Sequence, residues 1–169
     1  MKFASTRLIA ADINTMVAFY ELVTEQPAEW LAPQFAEIVT PGATLAIGSA
    51  ETVALFREGT AEPGANRTAI LEFRVDDVDA VFARLKNKVD VVIEPKLLPW
   101  GNRTAQFRDP EGTIISLFTP LTKAARARFG TRRQRVANRS VISIDNIQES
   151  GGGEANDLVL GTNLKKPVI

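Results

Sequence analysis

Two segments of the chain share one pattern, in which a short strand-forming run passes through an acidic residue into an amphipathic stretch. The first segment, STRLIAADINTMVAFYEL, begins at Ser5, and the second, ILEFRVDDVDAVFARLKN, begins at Ile70. Apolar residues alternate before the acidic residue and recur at helical spacing after it. The pattern predicts a strand followed by a helix in each segment, with the helices over about residues 15–23 and 78–85.

The two segments align at an offset of 65 positions, which indicates an internal repeat. Asp12 then stands over Asp77, and Ala18 stands over Ala83. Carboxylate and amide side chains accept hydrogen bonds from the free N–H groups of a first helical turn, so they mark helix starts. The candidate N-caps are Asp12, Asn14, Asp76 and Asp77.

Each copy has room for three more strands after its helix, separated by turns rich in proline and glycine. TVALF at residues 52–56 matches TIISLF at residues 113–118, so we assign these runs as the last strand of each copy. The intervening strands are predicted at about residues 35–40, 44–47, 89–94 and 104–108. The resulting order is βαβββ in both copies, over residues 1–60 and 66–120. This order predicts an α+β fold with eight strands, in which an antiparallel-rich sheet has a helix on one face and an open concave face on the other, followed by a C-terminal extension over residues 121–169.

The chain contains no histidine and no cysteine. The ligands that a tight zinc, iron, nickel or copper site prefers are therefore missing. Histidine bases, Ser-His triads and Cys-His pairs are excluded as well. Any chemistry would have to come from carboxylates, arginine, lysine, tyrosine or hydroxyl groups.

The stretch WGNRTAQFRDPEGTIISLFTP, from Trp100 to Pro120, resembles the last two strands of the glyoxalase, bleomycin-resistance and extradiol-dioxygenase group, the vicinal oxygen chelate superfamily. The turn Asp-Pro-Glu-Gly, followed by apolar residues and a final Leu-Phe, is the most specific part of this resemblance. FRVDDVDAVFARL and ADINTMVAFYELV are similar to the segments that open the two helices of the superfamily. The resemblance covers about residues 3–120 and implies a cup formed by two βαβββ units.

Metal enzymes of this superfamily place one ligand early in the first strand and one near the end of the last strand of each unit. Carried over by motif, the resemblance implies that these positions are Ser5, Ala54, Ile70 and Ser116. None of these side chains is a competent ligand for a catalytic transition metal. We therefore expect no metal and no other cofactor.

Strand alternation supplies the side chains expected to line the cup. Arg7 and Glu72 are equivalent in the repeat, and the resemblance implies that the first strands of the two units lie side by side. The two side chains therefore either pair across the pseudo-twofold axis or orient a ligand. Trp100 lies in a loop, where it either covers the core, lines the mouth of the cup or meets a second subunit. The candidate ligand-binding residues are Arg7, Phe56, Glu72, Trp100, Ser116 and Phe118.

Charge is distributed unevenly along the chain. Residues 1–120 carry 11 Lys and Arg against 16 Asp and Glu, a balance of −5, whereas residues 121–169 carry 9 against 4, a balance of +5. The acidic body favours a cationic ligand through long-range attraction. In the extension, residues 123–128 predict a short helix ended by Gly130, residues 139–147 a strand, and residues 149–156 a flexible linker.

The basic run of the extension is not specific for nucleic acid, so no nucleic-acid partner is expected. We expect the extension to dock onto its own body or onto the second subunit of a homodimer; binding of a polyanion is the alternative. No segment has the length of a signal peptide or a membrane span, and the absence of cysteine suits a reducing compartment. The sequence therefore predicts a cytoplasmic protein without a membrane partner.

The leading functional hypothesis is a non-catalytic protein of the bleomycin-resistance type that binds a small molecule, such as an antibiotic or a cationic aromatic compound. The first alternative is a metal-free or atypical-metal lyase, isomerase or dioxygenase-like enzyme of the same superfamily. In that case Glu72 would act as a general base, assisted by Tyr20 or Arg7. The second alternative is an interaction module that uses the basic extension.

Overall fold

The structure is a computed structural model that describes Met1 and residues 3–129. Within this range, Met1–Arg126 form one compact unit. Its strands and helices are, in chain order, β1 (Ser5–Ala10), α1 (Ile13–Thr24), β2 (Glu29–Ala32), β3 (Phe35–Val39), β4 (Thr44–Ser49), a 3₁₀ helix (Ala50–Leu55), β5 (Ile70–Arg74), α2 (Val78–Leu85), β6 (Asp90–Leu97), β7 (Asn102–Arg108) and β8 (Ile114–Pro120).

The eight strands are divided between two four-stranded sheets, ordered β1-β4-β3-β2 and β5-β8-β7-β6. In each sheet the first strand of the repeat lies parallel to its last strand, and the other neighbours are antiparallel. The predicted α+β fold of two βαβββ repeats is confirmed. Strands β1 and β5 each end a sheet, so within the described residues the two sheets are not hydrogen-bonded to each other.

Each helix begins at one of the acidic residues that the repeat predicts. The Oδ1 atom of Asp12 accepts hydrogen bonds from two backbone N–H groups of α1, at 3.0 and 3.2 Å. Asp77 does the same for α2, at 3.0 and 3.1 Å. Of the four candidates these two are therefore the N-caps, and Asn14 and Asp76 are not. Each cap satisfies N–H groups that have no partner inside the helix, a contribution of about 1 kcal/mol.

One hydrophobic core joins the two repeats. Along β5, Leu71 and Phe73 pack against this core, whereas the alternating Ile70 and Glu72 are exposed. The largest fully buried apolar side chains come from both repeats: Met16, Tyr20, Ile38, Ile47, Val78, Leu85, Phe107, Ile115 and Leu117. Because removal of apolar surface from water is the main favourable term in folding, the repeats stabilise each other.

The last strand of the first repeat is not where the sequence predicts it. Residues 52–56, expected to form that strand, belong to the 3₁₀ helix Ala50–Leu55 and its C-cap, Phe56. Strand β4, expected as the third strand, is the last one. The strand that the sequence pattern does not predict is β2, whose four residues are all exposed. It has no buried face from which an alternating pattern could be read.

The chain leaves the first sheet at Ser49 because a local hydrogen bond competes with the strand ladder. The hydroxyl of Thr52 donates to the carbonyl of Ser49 at 2.7 Å. Bonds of this kind favour turns over strands. Gly48 makes room for the hydroxyl, since a Cβ at that position would stand 2.7 Å from Thr52 Oγ1. TVALF therefore shares its composition with the last strand of the second repeat but turns away from the sheet.

The Asp-Pro-Glu-Gly turn between β7 and β8 fastens the second repeat to the first. The hydroxyl of Tyr20 in α1 donates to Asp109 Oδ2 at 2.8 Å, and both residues are buried. The backbone N–H of Ala11 donates to Glu111 Oε1 at 2.7 Å. Asp109 Oδ1 also accepts from the backbone N–H groups of Glu111 and Thr113, at 3.0 and 2.8 Å. We call Ala11, Tyr20, Asp109 and Glu111 the inter-repeat clip.

The clip changes the acidity of its phenol. Burial raises the pKa of Tyr20 far above its ordinary value of 10.0, and the charge of Asp109 and the hydrogen bond to it act in the same direction.

A second contact joins the helices, because Arg84 of α2 donates to the carbonyl of Leu22 at 2.6 Å and forms an ion pair with Glu25 at 3.5 Å. The two repeats are thus joined by polar contacts at both ends of α1.

Beyond β8, residues 123–129 are helical, as predicted for residues 123–128. The predicted helix end at Gly130, the strand over residues 139–147 and the linker over residues 149–156 lie outside the described residues. In the part of the chain that the structure describes, no helix is long and apolar enough to cross a membrane.

Candidate functional site

A cavity of about 500 Å³ opens on the first repeat, between its sheet and the 3₁₀ helix. Volumes of about 300–1,000 Å³ are typical of sites for small organic ligands. The cavity, which we call the Arg7 pocket, is lined by Arg7, Ala32, Gln34, Phe35, Glu51, Thr52, Leu55 and Phe56.

Strand alternation explains which side chains reach this pocket. Leu8 in β1 and Ala36 in β3 pack into the core, so their neighbours Arg7 and Phe35 lie on the opposite face of the sheet. The 3₁₀ helix follows β4 directly and brings Phe56 to the same face. Because β4 ends at Ser49, the 3₁₀ helix that follows it forms one wall of the pocket. A longer β4 would not supply this wall.

The guanidinium of Arg7 lies over two phenyl rings. Its Cζ atom is 4.7 Å from the ring centroid of Phe35 and 5.5 Å from that of Phe56. A cation within about 6 Å of an aromatic face is attracted by the ring quadrupole, with roughly 0.5–1 kcal/mol per exposed contact. The two rings also limit the conformations of the side chain, so Arg7 is partly positioned before a ligand arrives.

The charge of Arg7 is not neutralised by any residue that the structure describes. In that part of the chain the ion pairs join Arg84 to Glu25, Arg103 to Asp79, and Arg108 to Asp90. Glu51 lines the same pocket without forming an ion pair with Arg7. As far as the structure describes the chain, the pocket therefore presents one cation and one carboxylate that are not paired with each other or with another charged residue.

Of the six candidate ligand-binding residues, the structure brings Arg7 and Phe56 together in this pocket. The other four lie on the second repeat and do not line it. Glu72 and Ser116 stand opposite each other in the register of β5 and β8, with Glu72 exposed and Ser116 buried. Phe118 is buried further along β8, and Trp100 lies in the β6–β7 turn and is 57% exposed.

Two expectations about these residues need correction. Phe56 reaches the pocket from the end of the 3₁₀ helix and not from a strand. Arg7 and Glu72 do not form an ion pair within the described residues. β1 and β5 each end a sheet, so the equivalence of the two residues in the repeat is one of position in the fold.

The register of the sheets also corrects one of the four positions at which metal enzymes of the superfamily place ligands. Ser116 stands opposite Glu72 in the second repeat, and the residue that stands opposite Arg7 in the first repeat is Ala46. Ala46 thus replaces Ala54, which belongs to the 3₁₀ helix.

Ser5, Ala46, Ile70 and Ser116 do not fit a transition metal, since they offer at most two neutral hydroxyls. Among the described residues, no three His, Cys, Asp or Glu side chains are grouped so that they could hold a metal ion.

We expect the purified protein to retain no stoichiometric Zn, Ni, Fe or Mn after dialysis, because the four positions lack the imidazole, thiolate and carboxylate ligands that these ions need. Elemental analysis of dialysed protein checks this, with aliquots reloaded with each ion and dialysed again as the control. About one equivalent of any of these metals per chain would contradict the prediction.

Several residues of the pocket were not singled out from the sequence. The signal for Phe35 was present, because Ala36 and Ile38 alternate with it and face the core. Gln34 and Glu51 lie outside the strands, and no period in the sequence indicates that they line a cavity. Their place depends on the path of the 3₁₀ helix, which the sequence pattern assigns to a strand.

Comparison with known proteins agrees with this fold. Residues 3–122 match the protein family described as a glyoxalase-like domain. The chain is 30% identical over 129 residues to the uncharacterized protein YraH of Bacillus subtilis, an alignment that covers 72% of this chain and 100% of YraH.

Solved structures show the same architecture. A glyoxalase/bleomycin resistance protein/dioxygenase family enzyme from Burkholderia phytofirmans superposes with a TM-score of 0.64 at 19% identity, covering 72% of this chain and 100% of that one. A glyoxalase/bleomycin resistance protein/dioxygenase from Nocardioides superposes with a TM-score of 0.62 at 22% identity, covering 73% and 85%. At these identities the likeness extends to the fold alone.

Proposed function

The chain belongs to the glyoxalase-like family of the vicinal oxygen chelate superfamily, and we propose that it binds a small organic molecule in the Arg7 pocket without transforming it. One observation carries the proposal: a cavity of about 500 Å³ holds a guanidinium against two phenyl rings, with no described residue neutralising its charge. Ligand sites combine apolar walls with a few polar groups in this way.

The polar groups of the pocket support binding better than catalysis. The hydroxyl of Thr52 already donates to the carbonyl of Ser49 at 2.7 Å, and among the residues that the structure describes no base accepts from it to activate it as a nucleophile. Glu51 is exposed, so the pocket does not exclude water from its carboxylate. Arg7 is a cation whose planar fork of donors can orient a ligand.

An enzyme of the same superfamily is the competing function, and one observation favours it. Glu51 and Arg7 line the same cavity, so a carboxylate base and an electrophilic cation could act on one substrate there. Binding alone predicts that a ligand is recovered unchanged after prolonged incubation with the protein. Chemical change of the ligand that stops in Glu51→Gln would favour the enzyme.

A thermal-shift screen of a small-molecule library tests the proposal. A ligand that binds only the folded state raises its stability, by about 2.7 kcal/mol when its concentration is about 100-fold above Kd. We expect hits whose effect is lost in Phe56→Ala and kept in Leu97→Ala. Phe56 and Leu97 are 73% and 56% exposed, so both variants should fold. A library without hits, or hits unaffected by Phe56→Ala, would overturn the proposed site.

The second-repeat candidates remain part of the proposal, for a ligand that extends beyond the first repeat. Trp100→Ala should then weaken binding by roughly 1–3 kcal/mol, the usual cost of removing a buried aromatic contact. Glu72 is exposed and would contribute to the same extended surface, whereas Ser116 and Phe118 are buried and would contribute only to a ligand that reaches beneath it. Binding that is lost in Phe56→Ala and unchanged in Trp100→Ala would restrict the site to the first repeat.

We expect the protein to be a homodimer in solution. Strands β1 and β5 each end a sheet within the described residues, and β5 presents Ile70, which is 51% exposed. Edge strands with exposed apolar residues favour pairing with another chain. Sedimentation should give about twice 18.4 kDa, with Ile70→Lys shifted toward the monomer. A particle of 18.4 kDa at micromolar concentration would contradict this.

A further inference from the structure

We propose that the Arg7 pocket selects organic anions, and specifically a planar carboxylate attached to an apolar body. This inference rests on the proposed function, because it names the class of ligand that the same pocket takes. It differs from the expectation of a cationic ligand, which came from the overall charge of residues 1–120.

The first step of the argument is the hydrogen-bonding capacity of Arg7. A guanidinium carries five N–H donors in a fixed fork. Its contacts with Phe35 and Phe56 are cation–π contacts, which use the positive charge and consume no hydrogen bond. Within the described residues, neither a carboxylate nor a carbonyl accepts from the Arg7 side chain. A carboxylate of a ligand can therefore bind in the bidentate manner that the fork favours.

The second step is the apolar wall beside this cation. Ala32, Leu55, Phe35 and Phe56 supply it. The same two phenyl rings that contact the guanidinium thus also offer faces for the body of a flat ligand. A ligand whose carboxylate meets Arg7 and whose ring meets these walls satisfies both parts of the pocket at once.

The third step compares the positive charge of Arg7 with the net negative charge of residues 1–120, since the two favour ligands of opposite sign. The net charge of −5 is distributed over residues 1–120, and exposed charges farther away than about 8–10 Å are largely screened at physiological salt. A bidentate contact with Arg7 occurs at about 2.7–2.9 Å and is charge-assisted. The contact with Arg7 therefore outweighs the acidic surroundings. Glu51 is the one pocket residue that opposes an anion.

Three matched probes test the selectivity: a naphthalene carboxylate, the corresponding carboxamide and the corresponding carboxamidine. They share one flat apolar body and differ in charge at one substituent. We expect the carboxylate to bind about tenfold more tightly than the carboxamide, or better, by isothermal titration calorimetry at low salt. The carboxamidine should bind most weakly. Added salt should reduce the preference, because Arg7 is exposed to solvent.

Three variants assign the preference to its residues. Arg7→Met keeps an apolar stem beside the rings and should bind the carboxylate and the carboxamide equally. Glu51→Gln should strengthen carboxylate binding, because it removes the opposing charge and keeps the shape. Arg74→Met is the matched control, since it removes an exposed arginine from the equivalent edge strand of the second repeat, outside the pocket. It should leave all three affinities unchanged.

The outcomes separate this inference from the proposed function. Equal binding of the three probes, all weakened by Phe56→Ala, would overturn anion selection and leave small-molecule binding in place. Tightest binding of the carboxamidine, lost in Glu51→Gln, would also overturn it. A carboxylate preference that survives Arg7→Met would show that the anion binds elsewhere. No binding of the carboxylate at millimolar concentration overturns the inference, whereas the proposed function falls only if the library screen gives no hits or gives only hits that Phe56→Ala leaves unaffected.

Discussion

Replacing Asp109 by alanine is expected to lower the free energy of unfolding by about 3 kcal/mol, because it leaves buried donors without an acceptor. Asp109 is 4% exposed and accepts from the Tyr20 hydroxyl and from two backbone N–H groups of its own turn. Urea denaturation followed by circular dichroism measures the change. The stability of Asp109→Asn should lie between that of the natural chain and that of Asp109→Ala, since its amide oxygen still accepts from the backbone.

Asp90→Ala is the matched control for this prediction. Asp90 lies at the start of β6 and pairs with Arg108 at 3.8 Å, but its side chain is 70% exposed. Exposed ion pairs contribute little, so the control should change stability by about 0.5 kcal/mol or less. Equal effects of the two alanine substitutions would show that the inter-repeat clip does not stabilise the fold.

The phenol of Tyr20 is expected to stay protonated well above pH 10 for as long as the protein is folded. Burial raises its pKa, and Asp109 adds to the effect. In the unfolded chain the phenol ionises near its ordinary value of 10.0. Above that pH the unfolded state therefore binds fewer protons than the folded state. The free energy of unfolding then falls as pH rises, by about 1.4 kcal/mol per pH unit from this group.

The measurement is unusually direct because the chain contains a single tyrosine. Phenolate absorbance should appear together with loss of the circular dichroism signal, in one alkaline transition. Tyr20→Phe serves as the control, since other groups also titrate at alkaline pH. It should be less stable than the natural chain at neutral pH but should lose stability less steeply above pH 10. Phenolate absorbance that titrates near pH 10 in a folded protein would contradict the burial of this hydroxyl.

The sequence predicts the second repeat better than the first, and the difference has a physical cause. In the second repeat the apolar runs at β6, β7 and β8 are separated by strong turn signals, including Asp-Pro-Glu-Gly. In the first repeat β2 is a short, exposed edge strand without a buried face. The run TVALF then resembles a strand by composition. The Thr52–Ser49 hydrogen bond, which diverts it into a 3₁₀ helix, depends on backbone geometry that composition does not report.

The residues of the candidate site could also be predicted only in part, because the pattern along a strand does not report tertiary packing. Alternation along β1 correctly placed Arg7 on the face opposite the core, since only the strand itself was needed for that inference. Phe56 was named for a strand position that does not exist, and it reaches the pocket because the 3₁₀ helix ends there. The pairing of Arg7 with Glu72 required knowing how β1 and β5 are placed relative to each other. That relation depends on tertiary packing of the two repeats and has no signature in either segment.

The inter-repeat clip has a consequence for how the protein is made. Tyr20 and Asp109 are 89 positions apart, and Ala11 and Glu111 are 100 apart. At a synthesis rate of about 5–20 residues per second, Asp109 leaves the ribosome roughly 4–18 seconds after Tyr20. Until Asp109 emerges, the first repeat lacks both the acceptor for a buried hydroxyl and part of the core that the second repeat supplies. The nascent first repeat is therefore the stage at which this protein is most exposed to aggregation and to capture by chaperones.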